Sequence, residues 1–229
     1  MQLGGNIKYS KKTEGKEDWK ALLRNAVSEI EIDLNENEQG LFGIYLRELT
    51  EWNKKINITS IRNTEDIVIK HFLDSLTVLN YVPLSGRVVD IGSGGGFPGI
   101  PLKIREPSLN VMLVESNRKK ANFLKHIIRS LNLQAIEVYN GRAEDLDRKN
   151  FFDYAVSRAF SDLKSFCNLA TPLLKIGGHM VSMKGKSVER EIKEKELYDI
   201  GAKFISKNSF SLPYDKGRRT IVVLQKCFT

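Results

Sequence analysis

The residues best placed to do chemistry surround a run of glycines. Residues 89–99 read Val-Asp-Ile-Gly-Ser-Gly-Gly-Gly-Phe-Pro-Gly, after a short apolar run and before a helical stretch. Glycine lets the chain turn sharply and come close to a ligand that a Cβ would hold off. Gly94, Gly96 and Gly99 satisfy GxGxxG, the dinucleotide fingerprint, a weak signal alone. Asp90 argues against a dinucleotide, because it puts a carboxylate at the strand end, where such folds usually need only an apolar residue. Counted from Asp90 and Gly92, the pattern is Asp-x-Gly-x-Gly-x-Gly. A ribose calls for an acid roughly 20 residues further on, at the end of the next strand. Glu115 stands there, closing Val-Met-Leu-Val. After a third strand, Gly141-Arg142-Ala143-Glu144-Asp145 occupies the loop that usually contacts an adenine. Three features at consistent spacing predict a nucleotide-type cofactor, the alternative being a generic turn with a solvated Glu115.

Other motifs thin out when examined. Lys184-Gly185-Lys186-Ser187 imitates the end of a phosphate loop, but the position five before Gly185 is Met180 rather than glycine. The only cysteines, Cys167 and Cys227, are too few for a disulfide scaffold or a structural zinc site. Lys and Arg total 36 against 28 Asp and Glu, a net charge of +8 that favours a polyanionic partner, most plausibly nucleic acid. Arg118, Lys119, Lys120, Lys125 and Arg129 form a basic run without acids, which suits a solvated helix face and RNA phosphates equally. Lys184, Arg218 and Arg219 lie near a strand end and a turn, suited to gripping phosphates. Arg158 directly follows a strand, at the sheet edge where ligands bind; the alternative is a surface ion pair. His71 beside Phe72 reads as a hydrogen-bonded structural residue under the site, with Asp74 and Ser75 ending hydrogen bonds around it. Cys167 reads as packing, because no histidine is placed to activate it, and Trp19 and Trp52 read as core.

These residues need a scaffold. The chain has 229 residues, 41% hydrophobic and 28% charged, enough to bury a real core. Residues 1–18 read as a loose basic arm with no apolar run of signal-peptide type. Apolar residues at three- and four-residue spacing predict helices over 19–32, from Leu41 to Trp52, and from Thr64 to Leu79, making residues 19–82 a small helical cap. From Pro83 the rhythm changes, and 83–229 read as one sheet domain. Strands are expected at 87–91, 111–114, 135–139 and 152–156, then at 180–183 after a Gly177-Gly178 turn, and finally at 203–210 and 220–224. Helices are expected at 118–131, around Leu163 to Leu173, and over the charged stretch from Val188 to Tyr198. Alternating strands and helices ending in a hairpin predict an α/β, Rossmann-like, doubly wound sheet whose last strand is antiparallel.

The loop is selective beyond its glycines. Asp-x-Gly-x-Gly-x-Gly resembles the S-adenosylmethionine loop of class I methyltransferases, with the acid near the cofactor's cationic end. Asp90 to Pro101 as a whole resembles the signature of the bacterial 16S ribosomal RNA guanine methyltransferases, historically the glucose-inhibited division protein B family. Trp52-Asn53, Asn57-x-Thr59-Ser60, His71 to Ser75, Ser157 to Phe160, Lys184-Gly185 and Arg218-Arg219 match as well, spreading the likeness over residues 45–225. The resemblance implies a seven-stranded mixed sheet and S-adenosylmethionine as cofactor. Its cofactor-binding residues would be Asp90, Gly92, Gly94, Gly96, Phe97, Ala143, Glu144 and Arg158, with Glu115, Ser116 and Asn117 near the ribose. Family members often carry Asp where this chain has Glu115. The implied reaction is methyl transfer to guanine nitrogen 7 of 16S rRNA, free or in a small-subunit particle, with Arg118, Lys119, Lys184, Arg218 and Arg219 on RNA. That nitrogen has a free lone pair, so no general base and no catalytic side chain is singled out. A cytoplasmic monomer without metal or membrane is expected. The rivals are a small-molecule or protein methyltransferase of the same fold, a NAD-dependent oxidoreductase, and a non-catalytic nucleic-acid-binding module.

Overall fold

In the computed structural model the described residues are 18–158, 160, 162–185 and 188–228. The basic arm up to residue 17, Ala159 and the Lys186-Ser187 pair therefore lie outside the description.

The described residues begin with helix α1 (Trp19–Ser28) and α2 (Glu36–Asn53). α2 starts earlier than the apolar spacing predicts, because Asn35 and Glu38 form a reciprocal capping box that satisfies the first free N–H groups. The third helical region is not uniform. It runs α3 (Thr64–Ile67), a π-helical turn (Val68–Leu73), α4 (Asp74–Leu76) and a 3₁₀ turn (Thr77–Asn80). Such π turns cluster at functional sites, and this one carries His71.

Seven strands follow: β1 (Arg87–Ile91), β2 (Asn110–Val114), β3 (Ile136–Tyr139), β4 (Phe152–Arg158), β5 (Leu174–Lys184), β6 (Ala202–Ser211) and β7 (Arg218–Lys226). Helices α5 (Gly99–Arg105), α6 (Arg118–Ser130), α7 (Leu163–Leu173) and α8 (Glu194–Asp199) connect them. The sheet order is β3-β2-β1-β4-β5-β7-β6, with β7 antiparallel to both neighbours and the first five strands parallel. This is the predicted doubly wound mixed sheet with an antiparallel last strand. Two local expectations change. β5 runs through Gly177-Gly178, absorbing them where its register with β4 shifts. The charged helix shrinks to α8, because Val188 buries in the core and Glu191 turns to the N–H of Leu163 and the ammonium of Lys184.

Strand side chains alternate between two cores. On one face Val88, Leu113, Val156, Val181 and Ile221 pack with α5, α6 and the cap residues Leu23, Phe42, Leu49 and Phe72. On the other face Val89, Met112, Ala155, Met180 and Val222 pack with Phe166 and Cys167 of α7 and Leu197 of α8. The cap thus shares its core with the sheet. Full burial of one such aliphatic or aromatic side chain contributes about 1.5–3 kcal/mol, so this shared layer fixes the cap over the C-terminal ends of the strands.

Candidate functional site

Two cavities lie at the C-terminal ends of the strands, one beside Gly92 and one beside Arg158. The first, about 230 Å³, is lined by Gly92, Ser116, Ala143, Glu144 and Phe160 among others. It collects four of the predicted cofactor residues from the ends of β1, β2 and β3. Gly92 adopts φ +74°, and a Cβ there would meet nothing within 4 Å. It fronts open space that a ligand can fill. Gly96 differs: at φ +96° its missing Cβ would strike Ile100 and the Tyr45 hydroxyl. One glycine makes room for a ligand, the other for the cap.

The loop is pinned from three sides. Glu115 accepts the Gly94 N–H through Oε2 at 2.8 Å and the Asn117 N–H through Oε1 at 2.7 Å. Asn117 in turn caps α6 by accepting from Lys119 and Lys120. Asp90 lies under the loop, fully buried, and its Oδ2 accepts the Gly99 N–H at 2.9 Å. Burial pushes its carboxyl up to about 7, against the pull of the Gly99 bond and Arg158. Its Oδ1 has no hydrogen-bond partner among the described residues. From above, the Tyr45 hydroxyl of α2 donates to the Gly95 carbonyl. The Phe97 ring turns into the cap, stacked 4.4 Å from His71 and 5.3 Å from Tyr45.

The second cavity, about 290 Å³, is lined by Lys70, His71, Asp74, Arg158, Lys184 and Arg219 among others. Arg158 is its hub. It donates to the Lys70 carbonyl and to His71 Nδ1, both at 2.9 Å, and its guanidinium lies 4.7 Å over the Phe97 ring. A guanidinium only donates, so Nδ1 accepts, and Nε2 carries the proton toward the Thr59 hydroxyl 2.8 Å away. Burial, with Arg158 adding to it, holds the His71 pKa down to about 3. Thr59 is itself held by Asn53, whose amide bonds to the Ile58 and Thr59 backbone. The Asn53 to Thr59 motif is therefore a perch for His71, as the structural reading of His71 expects.

Asp74 is 2% exposed and receives two arginines on one oxygen, Arg219 Nε at 3.0 Å and Arg158 at 3.7 Å from Oδ2. Burial raises its pKa, while both arginines oppose the rise. The sequence expectation gave Asp74 only local hydrogen bonds. Its partners come from β4 and β7, which spacing within residues 71–75 does not show.

The expected RNA contacts separate. Arg118, Lys119 and Arg218 are exposed. Arg219 is mostly covered by its bond to Asp74. Lys184 departs from expectation: its ammonium points inward to Glu191 at 2.9 Å and the Phe160 carbonyl at 3.0 Å, so it ties the end of β5 to the following segment instead of facing a phosphate. Arg158, expected among the cofactor contacts, stands with Asp74 and Arg219 in the second cavity, where it also borders the loop through Phe97. Tyr45, absent from the expected site, is a main clamp on it. A tyrosine in an amphipathic helix looks like ordinary core, and nothing in the spacing distinguishes it.

The GidB family model, described as rRNA small subunit methyltransferase G, matches residues 38–212. The protein of that name from Geotalea uraniireducens is 43% identical over 211 residues, covering 90% of this chain and 96% of its own. Its counterpart from Syntrophus aciditrophicus is 41% identical, covering 91% and 90%. Among solved structures, a SAM-dependent methyltransferase from Aquifex aeolicus shares the fold, with a TM-score of 0.55 at 16% identity over 74% of this chain and 97% of that one.

Proposed function

The chain belongs to the family of small-subunit ribosomal RNA methyltransferases G, and from that premise we propose that it methylates nitrogen 7 of a guanine in 16S rRNA, using S-adenosylmethionine. The observation that carries the reading is the pairing of a glycine-fronted cavity with a basic cleft whose histidine has both ring nitrogens committed. The open side of Gly92 fits a cofactor, with Ser116, Ala143 and Glu144 on the walls and Glu115 holding Gly94 and Asn117 in place. Asp90 supports the loop from beneath, Gly96 keeps its path under Tyr45, and the Phe97 ring anchors it to the cap. Bound there, S-adenosylmethionine supplies a methyl group made electrophilic by its sulfonium sulfur.

Guanine nitrogen 7 would take that methyl through its own lone pair, the sulfur keeping the bonding electrons, and the cleft would have to accommodate a purine that becomes cationic. No proton has to move, which suits a cleft where His71 is neutral and hydrogen-bonded on both sides. The chain's part is positioning, a contribution of up to ~7–11 kcal/mol when geometry is good. The exposed Arg118, Lys119 and Arg218 serve in this reading as contacts for phosphates. In this reading residues 19–82 are a cap on a catalytic domain of residues 83–229, acting as a monomer in the cytoplasm on rRNA or on a small-subunit particle.

The test is transfer of tritiated methyl to 16S rRNA and to small subunits from a strain lacking this activity. Label should appear as 7-methylguanine at one position. Label in a metabolite or a protein instead, with none in RNA, overturns the reading in favour of a same-fold enzyme with another substrate.

A further inference from the structure

We propose that Asp74, held between Arg158 and Arg219, reads the Watson–Crick edge of the target guanine, its Oδ1 accepting the N1–H. The inference rests on the methyltransferase reading above and names the residue that selects the base.

One oxygen of Asp74 lacks a partner among the described residues. Both arginines of the cluster reach Asp74 through Oδ2, whereas Oδ1 has no hydrogen bond among the described residues. A carboxylate oxygen buried in that state is costly unless a donor meets it. Asp74 lies in the wall of the second cavity, at the strand ends where this fold binds its ligands. The partners of Asp74 are donors only, so the cleft presents an acceptor beside donors. Guanine carries the complement on adjacent atoms, a donating N1–H next to the accepting O6. Adenine carries the reverse, an accepting N1 next to a donating amine. A guanine held by N1 and O6 keeps nitrogen 7 free, on the far side of O6. Solvent does not reach Oδ1, so a base that meets it would have to displace the Arg219 side chain, which lies on β7 and is 18% exposed.

The same arrangement predicts what an amide would do. In Asp74→Asn the amide oxygen stays on the arginine side, because guanidinium groups only donate. The NH₂ then takes the place of Oδ1, and the cleft offers a donor where guanine N1–H needs an acceptor. The experiment is methylation of 16S rRNA carrying guanine or 2-aminopurine at the target position. 2-Aminopurine keeps nitrogen 7 but has an accepting N1 and no O6. Wild type should prefer guanine in kcat/KM by about tenfold or more, the scale of a lost hydrogen bond to a charged group. In Asp74→Asn that preference should shrink to near unity or reverse, while S-adenosylmethionine affinity, measured by calorimetry, stays within a few-fold. An unchanged preference ratio in a variant that still binds cofactor would mean Asp74 only holds the arginines, and the proposal is wrong. Where the variant fails to bind cofactor, wild type decides alone: equal methylation of both bases overturns the assignment. Absence of 7-methylguanine with wild type and natural rRNA overturns the parent reading instead, so the two failures are distinct.

Discussion

His71 has Arg158 on one ring nitrogen and Thr59 on the other, so a second proton on the ring would face a guanidinium. The unfolded chain binds that proton near pH 6.5, whereas the folded chain resists it down to about 3. The neutral ring therefore contributes stability that is present above about 6.5 and lost as the pH falls toward 3, at up to ~1.4 kcal/mol per pH unit. Urea midpoints of wild type should fall through this window more steeply than those of His71→Gln, which should start lower and run flatter. Parallel profiles would mean that the ring takes up its proton in the folded state as well. Gly92 is the opposite kind of residue, one whose missing atom matters. Gly92→Ala meets no protein atom within 4 Å, so its structural cost is the positive φ alone, about 1–2 kcal/mol. S-Adenosylmethionine affinity by calorimetry should fall at least tenfold. Unchanged affinity would place the cofactor elsewhere.

Helix α2 acts on the loop through Tyr45, by its ring on Phe97 and by its hydroxyl. The Tyr45 hydroxyl closes a bond to Gly95 across the interface of cap and sheet. Tyr45→Phe leaves that carbonyl unpartnered, a cost of about 1–3 kcal/mol. The melting temperature should drop by a few degrees, and cofactor affinity should weaken several-fold because the loop loses its upper anchor. Loss of stability with full affinity would show that Glu115 and Asp90 shape the loop unaided. Much of this architecture is legible in the sequence, because β1 and β2 are short, largely apolar runs with few other options, and Asp90 to Pro101 announces the turn between β1 and α5. What stays hidden has physical causes. The start of α2 depends on a side-chain cap, which an apolar count does not register. The stretch after β5 has helical spacing, yet Glu191 is drawn off to Leu163 and Lys184. Lys184 looks like an RNA contact because sequence gives its charge and not its inward direction. Asp74 and Tyr45 look ordinary because their partners come from distant strands and a distant loop.

Across the whole molecule, the net charge of +8 is spread over a surface that includes exposed Arg118, Lys119, Lys125 and Arg129 on α6. A lysine that contacts a phosphate contributes about one unit to the salt slope of binding. Filter binding of Lys119→Ala to 16S rRNA across a salt series should show weaker affinity and a slope reduced by about one, with cofactor affinity untouched. An unaltered slope would assign α6 to a solvated face. The strand order carries a further implication, for the making of the protein. β7 lies between β5 and β6, and the cap packs on a sheet face that includes Ile221. A ribosome delivers the chain from its N-terminus, so the cap helices emerge before any of the strands they cover. Asp74 is synthesised long before Arg158, and longer still before Arg219. Until the β6–β7 hairpin has left the exit tunnel, the cleft lacks the wall that Arg219 supplies. A newly made copy is thus unable to select a guanine on the particle that is still translating it.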